Sequence, residues 1–225
     1  MIKTYIIVAL VSYLLGSIPF GYILVKLFLK QDIRATGSGN IGATNVARSG
    51  AKGLAVATLT LDAAKGFVAV FSTMVFFAAV GEGPWLLTLA SFAGLFAVLG
   101  HMFPVWLRFR GGKGVATAVG AFAPLAPGAL GISLIVFLVV TAITRFVSLG
   151  SMLASLTFAI SAYLLPPHEL RHEEDSTMFF VTLTVTSLLI VLKHHENIRR
   201  LLAGTENKFG GKKSVPPPDA MEKQA

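Results

Sequence analysis

The chain contains no cysteine, so it has neither a disulfide framework nor a thiolate metal site. Charge is also scarce, because only 13% of the 225 residues are Asp, Glu, Lys or Arg. A soluble domain carries about a quarter. Hydrophobic residues make up 54% of the chain. This composition excludes an ordinary soluble domain and predicts an all-α membrane protein that crosses the bilayer several times.

Acidic residues are the scarcer of the two charge signs, since 11 Asp and Glu oppose 19 Lys and Arg for a net charge of +8. In a soluble protein this excess of positive charge would suggest nucleic acid as a partner. Here the cations fall at the ends of apolar runs, where they orient a membrane protein and bind anions, so no nucleic-acid partner is expected. The first apolar run is too long for a cleavable signal peptide and has no small-residue cleavage site.

The apolar runs set the number of membrane spans, because each span needs about 20 apolar residues. Six runs approach this length, and they cover residues 4–29, 54–80, 85–104, 128–143, 146–165 and 176–194. A seventh run, Val115–Phe122, is short and is followed by prolines. We count it as a short span, which gives seven.

The distribution of cations indicates the topology. With seven crossings and the N-terminus outside, the strongly basic segments fall on the inner side, as the positive-inside rule expects. Those segments are 26–52, 108–113, Arg145 and 193–200. Six crossings would place them on alternating sides. We therefore predict a seven-transmembrane-helix bundle over residues 1–210, N-terminus outside and C-terminus cytoplasmic, with residues 211–225 as a disordered cytoplasmic tail.

Three polar, glycine-rich stretches interrupt the apolar chain, and SGNIGATN at residues 38–45 is the first. Its glycines let the backbone approach a ligand, and successive N–H groups form a concavity that binds anions. A flexible interfacial loop is the alternative for this stretch alone. The candidate ligands, including an arginine one helical turn further on, are Ser38, Gly39, Asn40, Gly42, Thr44, Asn45 and Arg48.

The second stretch is RFRGGKGVAT at residues 108–117, in which glycines precede a lysine that opens a helix. The nucleotide-binding pattern GxxxxGK[ST] fails because Gly114 follows Lys113, so nucleotide hydrolysis is not indicated. Backbone donors and a cation at a helix N-terminus still favour an anion. For the two arginines, anchoring at the membrane surface is the alternative. The candidate ligands are Gly111, Gly112, Lys113 and Gly114.

The third stretch, KHHENIRRLLAGTENKFG at residues 193–210, begins where the last apolar run ends. His194 and Asn197 are three residues apart and share a helix face. A metal site is not expected, because no third ligand lies at metal spacing. For Arg199, Arg200 and Lys208, contact with anionic lipid is the alternative to ligand binding. Glu206 is assigned only to a turn.

Two further polar features lie within or beside apolar runs. Asp62 and Lys65, three residues apart, are costly in a membrane and are therefore expected to pair. A structural ion pair is the favoured interpretation, and orientation of the first glycine-rich loop is the alternative. Ser148 and Ser151 lie at the inner end of another run, where bonding to helix backbone is the alternative to ligand binding.

These motifs, in this order, together with LDAAKG at 61–66 and GSIPFG at 16–21, resemble the bacterial membrane glycerol-3-phosphate acyltransferases that use acyl phosphate. The resemblance covers about residues 1–210. It implies a seven-helix bundle in the bacterial cytoplasmic (inner) membrane, with its active site at the cytoplasmic face. The implied activity transfers a fatty acyl group from acyl phosphate to the 1-hydroxyl of glycerol 3-phosphate. The products are lysophosphatidic acid and phosphate, and the step is the first of phospholipid synthesis.

The resemblance also implies roles for particular residues. Ser38 and the glycine-rich backbone after it would hold the acyl-phosphate group. The catalytic residues would be Ser38, Lys113, His194 and Asn197. The glycerol-3-phosphate pocket would be lined by Lys113, Arg48, His194, Asn197 and Ser148. The implied partners are glycerol 3-phosphate, long-chain acyl phosphate and membrane lipid, without a cofactor, a metal or an obligate protein partner.

The residues favour a positioning and electrostatic mechanism. The His-x₄-Asp pair of soluble-type glycerolipid acyltransferases is missing from the sequence. The proton of the attacking hydroxyl would then pass to the acyl phosphate itself, with His194 as general base being the alternative. We expect the acyl chain to enter sideways between helices, near residues 12–21 and 90–100.

Two other functions fit parts of the sequence. A transporter for a phosphorylated metabolite would also place cations at a membrane face, but it usually shows an internal repeat, and none is visible. A phosphotransferase of lipid head groups would need clustered aspartates for Mg²⁺, whereas the acidic residues here are scattered.

Overall fold

The computed structural model describes residues 2–80, 86–167, Leu170 and 176–210. The tail predicted for 211–225 lies outside these residues. Throughout the described part, the regular structure is helical. The α-helices are α1 (Ile2–Gly16), α2 (Phe20–Leu29), α3 (Ala43–Arg48), α4 (Lys52–Ala79), α5 (Leu86–Met102), α6 (Val115–Phe122), α7 (Pro127–Thr144), α8 (Val147–Leu164), α9 (Ser176–Lys193) and α10 (His195–Leu202).

Six helical segments of the described chain are long and apolar enough to cross a membrane, which confirms the all-helical membrane fold. They are Ile2–Leu29, Lys52–Ala79, Leu86–Leu107, Pro127–Thr144, Val147–Leu164 and Ser176–Lys193. The run counted as a seventh span forms α6, which has 8 residues. A helix of that length rises about 12 Å, less than half the hydrocarbon thickness. The seven-crossing topology therefore stays a prediction.

Helix α6 is short because its sequence limits it at both ends. It begins after Gly114, which has φ 82°, and it ends just before a segment with two prolines. Between these limits it packs closely on α4 through glycines on both helices. A Cβ added at Gly66 would lie 2.1 Å from the Thr117 carbonyl oxygen, and one at Gly120 would lie 1.8 Å from that of Ala63. This contact fixes α6, whose first turn follows Lys113, against α4.

The first span is broken between α1 and α2, where Pro19 cannot donate a backbone hydrogen bond. The carbonyl oxygen of Ile18, at this break, accepts a 2.8 Å hydrogen bond from Lys65 Nζ on α4. Lys65 also lies 2.8 Å from Asp62, so the ion pair expected within the second apolar run is present.

The small residues of α1 and α5 serve helix packing rather than an acyl groove. A Cβ at Gly16 would lie 2.0 Å from the Ala97 carbonyl oxygen, and one at Gly100 would lie 2.2 Å from that of Tyr13. The expectation of a groove near residues 12–21 and 90–100 was therefore wrong, because these two segments pack directly against each other.

The segments between helices converge at one end of the bundle. The backbone N–H of Phe209 donates to the Arg145 carbonyl at 2.7 Å, which ties the end of the described chain to the α7–α8 junction. Lys113 reaches Asn197 on α10, and Ser148 on α8 reaches Glu206. Ser38 and Asn40 line the same cavity as Lys113 and Asn197, so all three polar stretches share one end.

Candidate active site

A cavity of about 610 Å³ opens at the end of the bundle where the three polar stretches meet. Its mouth is polar, and its interior continues between apolar side chains of α4, α6, α7 and α8. The sequence-predicted residues that line it are Ser38, Asn40, Gly42, Thr44, Asn45, Arg48, Lys113, Gly114, Ser148, His194 and Asn197.

A chain of hydrogen bonds crosses the mouth and joins the second stretch to the third. Lys113 Nζ donates to Asn197 Oδ1, and Asn197 Nδ2 donates to Glu206 Oε1 at 2.6 Å. Ser148 Oγ donates to the same carboxylate oxygen at 2.7 Å. Arg200 Nε donates to the other oxygen, Oε2, also at 2.7 Å. Elements far apart in sequence are thus held around one carboxylate.

Glu206 is the residue that sequence reasoning missed. After α10 ends, Gly204 adopts φ 68° and the following residues double back, which carries Glu206 under the helix to a buried position. Burial by itself would raise the pKa of Glu206, but hydrogen bonds from Arg200, Ser148 and Asn197 outweigh it and hold this pKa below its usual value. The signal in the sequence was the second of two carboxylates in the basic third stretch, two residues beyond a glycine.

Lys113 is a largely buried cation with a lowered pKa. Burial is the main cause, and repulsion from Arg200 and Arg48 adds to it against the attraction of Glu206, which brings the pKa of Lys113 to about 8. The ammonium therefore carries its charge at neutral pH and loses it in mildly alkaline solution. A bound anion would meet a cation that is already partly desolvated.

His194 is buried and neutral at physiological pH. Burial is the main cause and the charge of Lys113 the next, and together they lower the pKa of His194 to about 4. Its Nδ1 atom lies 2.7 Å from the Ile190 carbonyl oxygen. Because a carbonyl only accepts, the proton of the neutral ring is on Nδ1. Nε2 is consequently left with a lone pair that can accept a hydrogen bond.

The first glycine-rich stretch is organised around the side chain of Asn45. Its Nδ2 donates to the carbonyls of Ile33, Thr36 and Asn40 at 3.1, 3.0 and 2.8 Å. Its Oδ1 accepts the Ser38 backbone N–H at 2.8 Å. The amide is therefore used to shape the loop, although sequence reasoning placed Asn45 among the ligands.

The loop needs glycine at two of its turns. Gly37 and Gly39 have φ 58° and 69°, in the left-handed region. The N–H of Gly39 donates to the Thr36 carbonyl at 3.0 Å, so Gly39 supports the loop and lies outside the cavity lining. Arg48, on α3 behind the loop, is half-buried, and burial lowers its pKa.

The three glycines of the second stretch have two different roles. Gly114 lines the cavity beside Lys113, whereas Gly111 and Gly112 lie behind it. Their N–H groups donate to the carbonyls of Met102 and His101 at 3.2 and 3.0 Å. The expectation that Gly111 and Gly112 bind an anion directly was therefore wrong, because their backbone donors already bond within the chain.

The two serines at the start of α8 also differ. Ser148 donates to Glu206 within the network at the mouth, whereas Ser151 Oγ donates to the Val147 carbonyl of its own helix at 2.8 Å. Both line the cavity. Only Ser148 is bonded to the groups that surround Lys113.

The interior of the cavity is mainly apolar, although Asp62 and His101 are also among its lining residues. The rings of Phe122 and Phe158 lie 5.2 Å apart at its inner wall. Helices α4 and α7 form its sides, through Leu59 and Leu134 among others. Leu59 and Leu134 are 52% and 39% exposed, so the cavity wall continues onto the lipid-facing surface between these two helices. Within the described residues, groups of three or more His, Asp or Glu side chains arranged for a metal are absent.

Known proteins resemble this chain over nearly its whole length. The family profile described as glycerol-3-phosphate acyltransferase matches residues 6–204. The glycerol-3-phosphate acyltransferase of Agrobacterium fabrum is 46% identical over 204 residues, 91% of each chain. That of Rhodopseudomonas palustris is 44% identical over 214 residues, 95% of this chain and all of the relative.

Two solved structures resemble the fold. Both are crystal structures of PlsY (YgiH), an integral membrane glycerol 3-phosphate acyltransferase. Its glycerol 3-phosphate form has a TM-score of 0.77 at 38% identity and covers 92% of this chain and 96% of the other. Its lysophosphatidic acid form has a TM-score of 0.76 at 37% identity, over 92% and 95%.

Proposed function

Because the chain belongs to the glycerol-3-phosphate acyltransferase family, we propose that it transfers a fatty acyl group from acyl phosphate to the 1-hydroxyl of glycerol 3-phosphate. It is an acyltransferase of the multi-pass membrane type, and the products would be lysophosphatidic acid and inorganic phosphate. The observation that carries the proposal is the two-part cavity. Its mouth holds the cations Arg48 and Lys113, and its interior is apolar and continues to the lipid-facing surface.

The mouth suits a small phosphorylated acceptor. Arg48 and Lys113 supply positive charge for the phosphate of glycerol 3-phosphate. Ser148 already donates its proton to Glu206, so its oxygen is free to accept from a glycerol hydroxyl. Asn197 is fixed between Lys113 and Glu206, which keeps the lysine in place before the substrate arrives.

The loop around Ser38 suits the phosphate of the donor. Asn45 fixes the loop backbone, and the Ser38 hydroxyl and Asn40 stand at the cavity wall beside Arg48. The apolar interior would then hold the acyl chain, which enters from the lipid between α4 and α7. This arrangement brings the acyl carbonyl carbon to the mouth, next to the acceptor.

The chemistry needs two phosphates close together. Two unit charges about 5 Å apart repel by about 3 kcal/mol at an effective dielectric constant near 20, so the cations at the mouth are required for both substrates to bind. The hydroxyl oxygen attacks the carbonyl carbon, and the bond from that carbon to the phosphate oxygen breaks. Lys113 stabilises the charge that grows on the departing phosphate.

The proton of the attacking hydroxyl would pass to an oxygen of the acyl phosphate. His194, with a pKa of about 4, is too weak a base to take it efficiently at neutral pH. The lone pair of its Nε2 atom is instead suited to accept a hydrogen bond from the glycerol and so to orient it. The catalysis is therefore substrate-assisted in this proposal.

The proposal includes the orientation in the membrane. Because the three polar stretches lie in or beside the basic segments 26–52, 108–113 and 193–200, the positive-inside rule favours the cytoplasm for the end of the bundle that they share. Crossing by α6 as a short seventh span, with the N-terminus outside, would satisfy this arrangement in a bacterial inner membrane. Soluble glycerol 3-phosphate would reach the mouth from the cytoplasm.

The purified protein tests the reaction with glycerol 3-phosphate and palmitoyl phosphate. We expect lysophosphatidic acid and inorganic phosphate in a one-to-one ratio, and little of either from Lys113→Ala. Lys30→Ala, at an exposed cation outside the cavity, is the matched control and should keep wild-type activity. Phosphate release without lysophosphatidic acid would contradict acyl transfer and indicate simple hydrolysis.

A further inference from the structure

A buried cluster of Asp62, Lys65 and His101 is not used by the reaction proposed above. These residues are 2%, 4% and 4% exposed. Charges at membrane depth are costly, and buried ion pairs can often be replaced by apolar residues without loss of stability. Stability alone therefore gives a weak reason for the cluster.

The cluster connects three parts of the bundle. Lys65 Nζ lies 2.8 Å from Asp62 Oδ1 and donates to the Ile18 carbonyl at the break of the first span. The same Asp62 oxygen lies 3.5 Å from His101 Nδ1 near the end of α5. One edge of the imidazole therefore lies beside the Asp62 carboxylate of α4, which is itself paired with Lys65.

The other edge of the imidazole lies against the lysine loop. A Cβ added at Gly112 would lie 1.9 Å from His101 Nε2, so the ring is in close contact with the backbone there. The His101 carbonyl also accepts the Gly112 N–H at 3.0 Å. Lys113 is the next residue, and its side chain extends into the cavity to Asn197.

We infer that His101 is a positioning residue for Lys113. Anchored through Asp62 and Lys65, its ring sets the position of the backbone at Gly112 and so the place where the lysine ammonium meets a phosphate. The inference rests on the proposed function, since it takes Lys113 to bind the phosphate of glycerol 3-phosphate. His101 also lines the cavity, and the role inferred for it is exerted on Lys113 through the loop.

A double-mutant cycle between His101 and Gly112 tests this contact. Gly112→Ala places a methyl group against the ring and should raise KM for glycerol 3-phosphate by about tenfold, with a smaller change in KM for palmitoyl phosphate. His101→Asn shortens the side chain and should raise the same KM. The double variant should bind glycerol 3-phosphate better than Gly112→Ala alone, because the shorter side chain makes room for the methyl group.

Two controls match these substitutions. Gly128→Ala adds a methyl group where it would meet nothing within 4 Å, and His195→Asn changes an exposed histidine. Both should keep the wild-type KM. Strictly additive effects of His101→Asn and Gly112→Ala would overturn the inference, as would an unchanged KM in both single variants.

A second variant covers the case in which a member of the cycle does not fold. Asp62→Asn combined with Lys65→Met removes both charges and keeps the side-chain shapes, so the protein should remain folded by thermal unfolding in detergent. We expect calorimetric Kd for glycerol 3-phosphate, measured without donor, to weaken by about tenfold. A wild-type Kd in this folded variant would overturn the inference. Failure of the wild-type protein to bind glycerol 3-phosphate would instead contradict the proposed function.

Discussion

Ser148 Oγ donates a 2.7 Å hydrogen bond to Glu206 Oε1, and this bond joins residues 58 positions apart in the sequence. Both residues line the cavity. The same carboxylate also accepts hydrogen bonds from Asn197 and Arg200, so one residue connects α8, α10 and the segment after α10.

Removing the Glu206 carboxylate should therefore affect both stability and binding. Glu206→Ala leaves the donors of Ser148, Asn197 and Arg200 without their acceptor, and we expect a loss of about 2–3 kcal/mol in unfolding free energy. KM for glycerol 3-phosphate should rise, because Asn197 no longer holds Lys113. Thermal unfolding in detergent and steady-state kinetics measure the two effects.

Glu196→Ala is the matched control for that substitution. The Glu196 side chain is 64% exposed and lies 3.9 Å from Arg200, which is a weak surface pair. We expect a change within about 0.5 kcal/mol and a wild-type KM. Equal effects of the two substitutions would contradict the central role of Glu206.

The pKa of Lys113 predicts the alkaline limit of activity. Binding of a phosphate requires the protonated ammonium, whose pKa in the free protein is about 8. Log kcat/KM for glycerol 3-phosphate should therefore fall with a slope of −1 above about pH 8. An acid limb near pH 6 is expected from the second ionisation of the substrate phosphate, whose pKa is about 6.

Lys113→Arg distinguishes this explanation from general alkaline inactivation. A guanidinium stays protonated throughout the accessible range, so the alkaline limb should move upward, although the absolute rate will be lower because the geometry differs. An alkaline limb that remains at pH 8 in this variant would assign it to another group.

The lowered pKa of His194 makes a prediction about its role. His194→Ala should raise KM for glycerol 3-phosphate more than it lowers kcat, because the ring orients the acceptor. His194→Gln, which keeps a hydrogen-bond acceptor, should recover part of the loss. If His194→Ala abolishes turnover while leaving the affinity for glycerol 3-phosphate intact, His194 is the general base and the substrate-assisted mechanism is wrong.

The apolar interior predicts a dependence on acyl-chain length. Ala154 lines the cavity on α8, and Ala154→Phe should obstruct it. We expect a larger rise in KM for palmitoyl phosphate than for octanoyl phosphate, because the short chain occupies less of the interior. Leu153→Phe changes the neighbouring lipid-facing position, which is 40% exposed, and should leave the ratio of these two KM values unchanged.

The sequence predicted the elements whose signals are local. The apolar runs predicted the six long helices. The spacing of Asp62 and Lys65 predicted their ion pair, because residues three apart on a helix lie on the same face. The motifs also identified Arg48, Lys113, Ser148, His194 and Asn197, which the structure brings to one cavity.

What the sequence did not predict depends on contacts between distant segments. Glu206 reaches the mouth only because the chain reverses after Gly204, and a motif does not show which carboxylate a turn will bury. His101 joins Asp62 from another helix. Gly111, Gly112 and Asn45 looked like ligands because loop support and anion binding require the same residue types.

The choice of acyl donor is the most direct test of the proposed reaction. Purified protein should be given glycerol 3-phosphate with either palmitoyl phosphate or palmitoyl-CoA at equal concentration, and lysophosphatidic acid should be measured. We predict formation from palmitoyl phosphate and none above background from palmitoyl-CoA. Formation from palmitoyl-CoA alone would contradict the acyl-phosphate reaction.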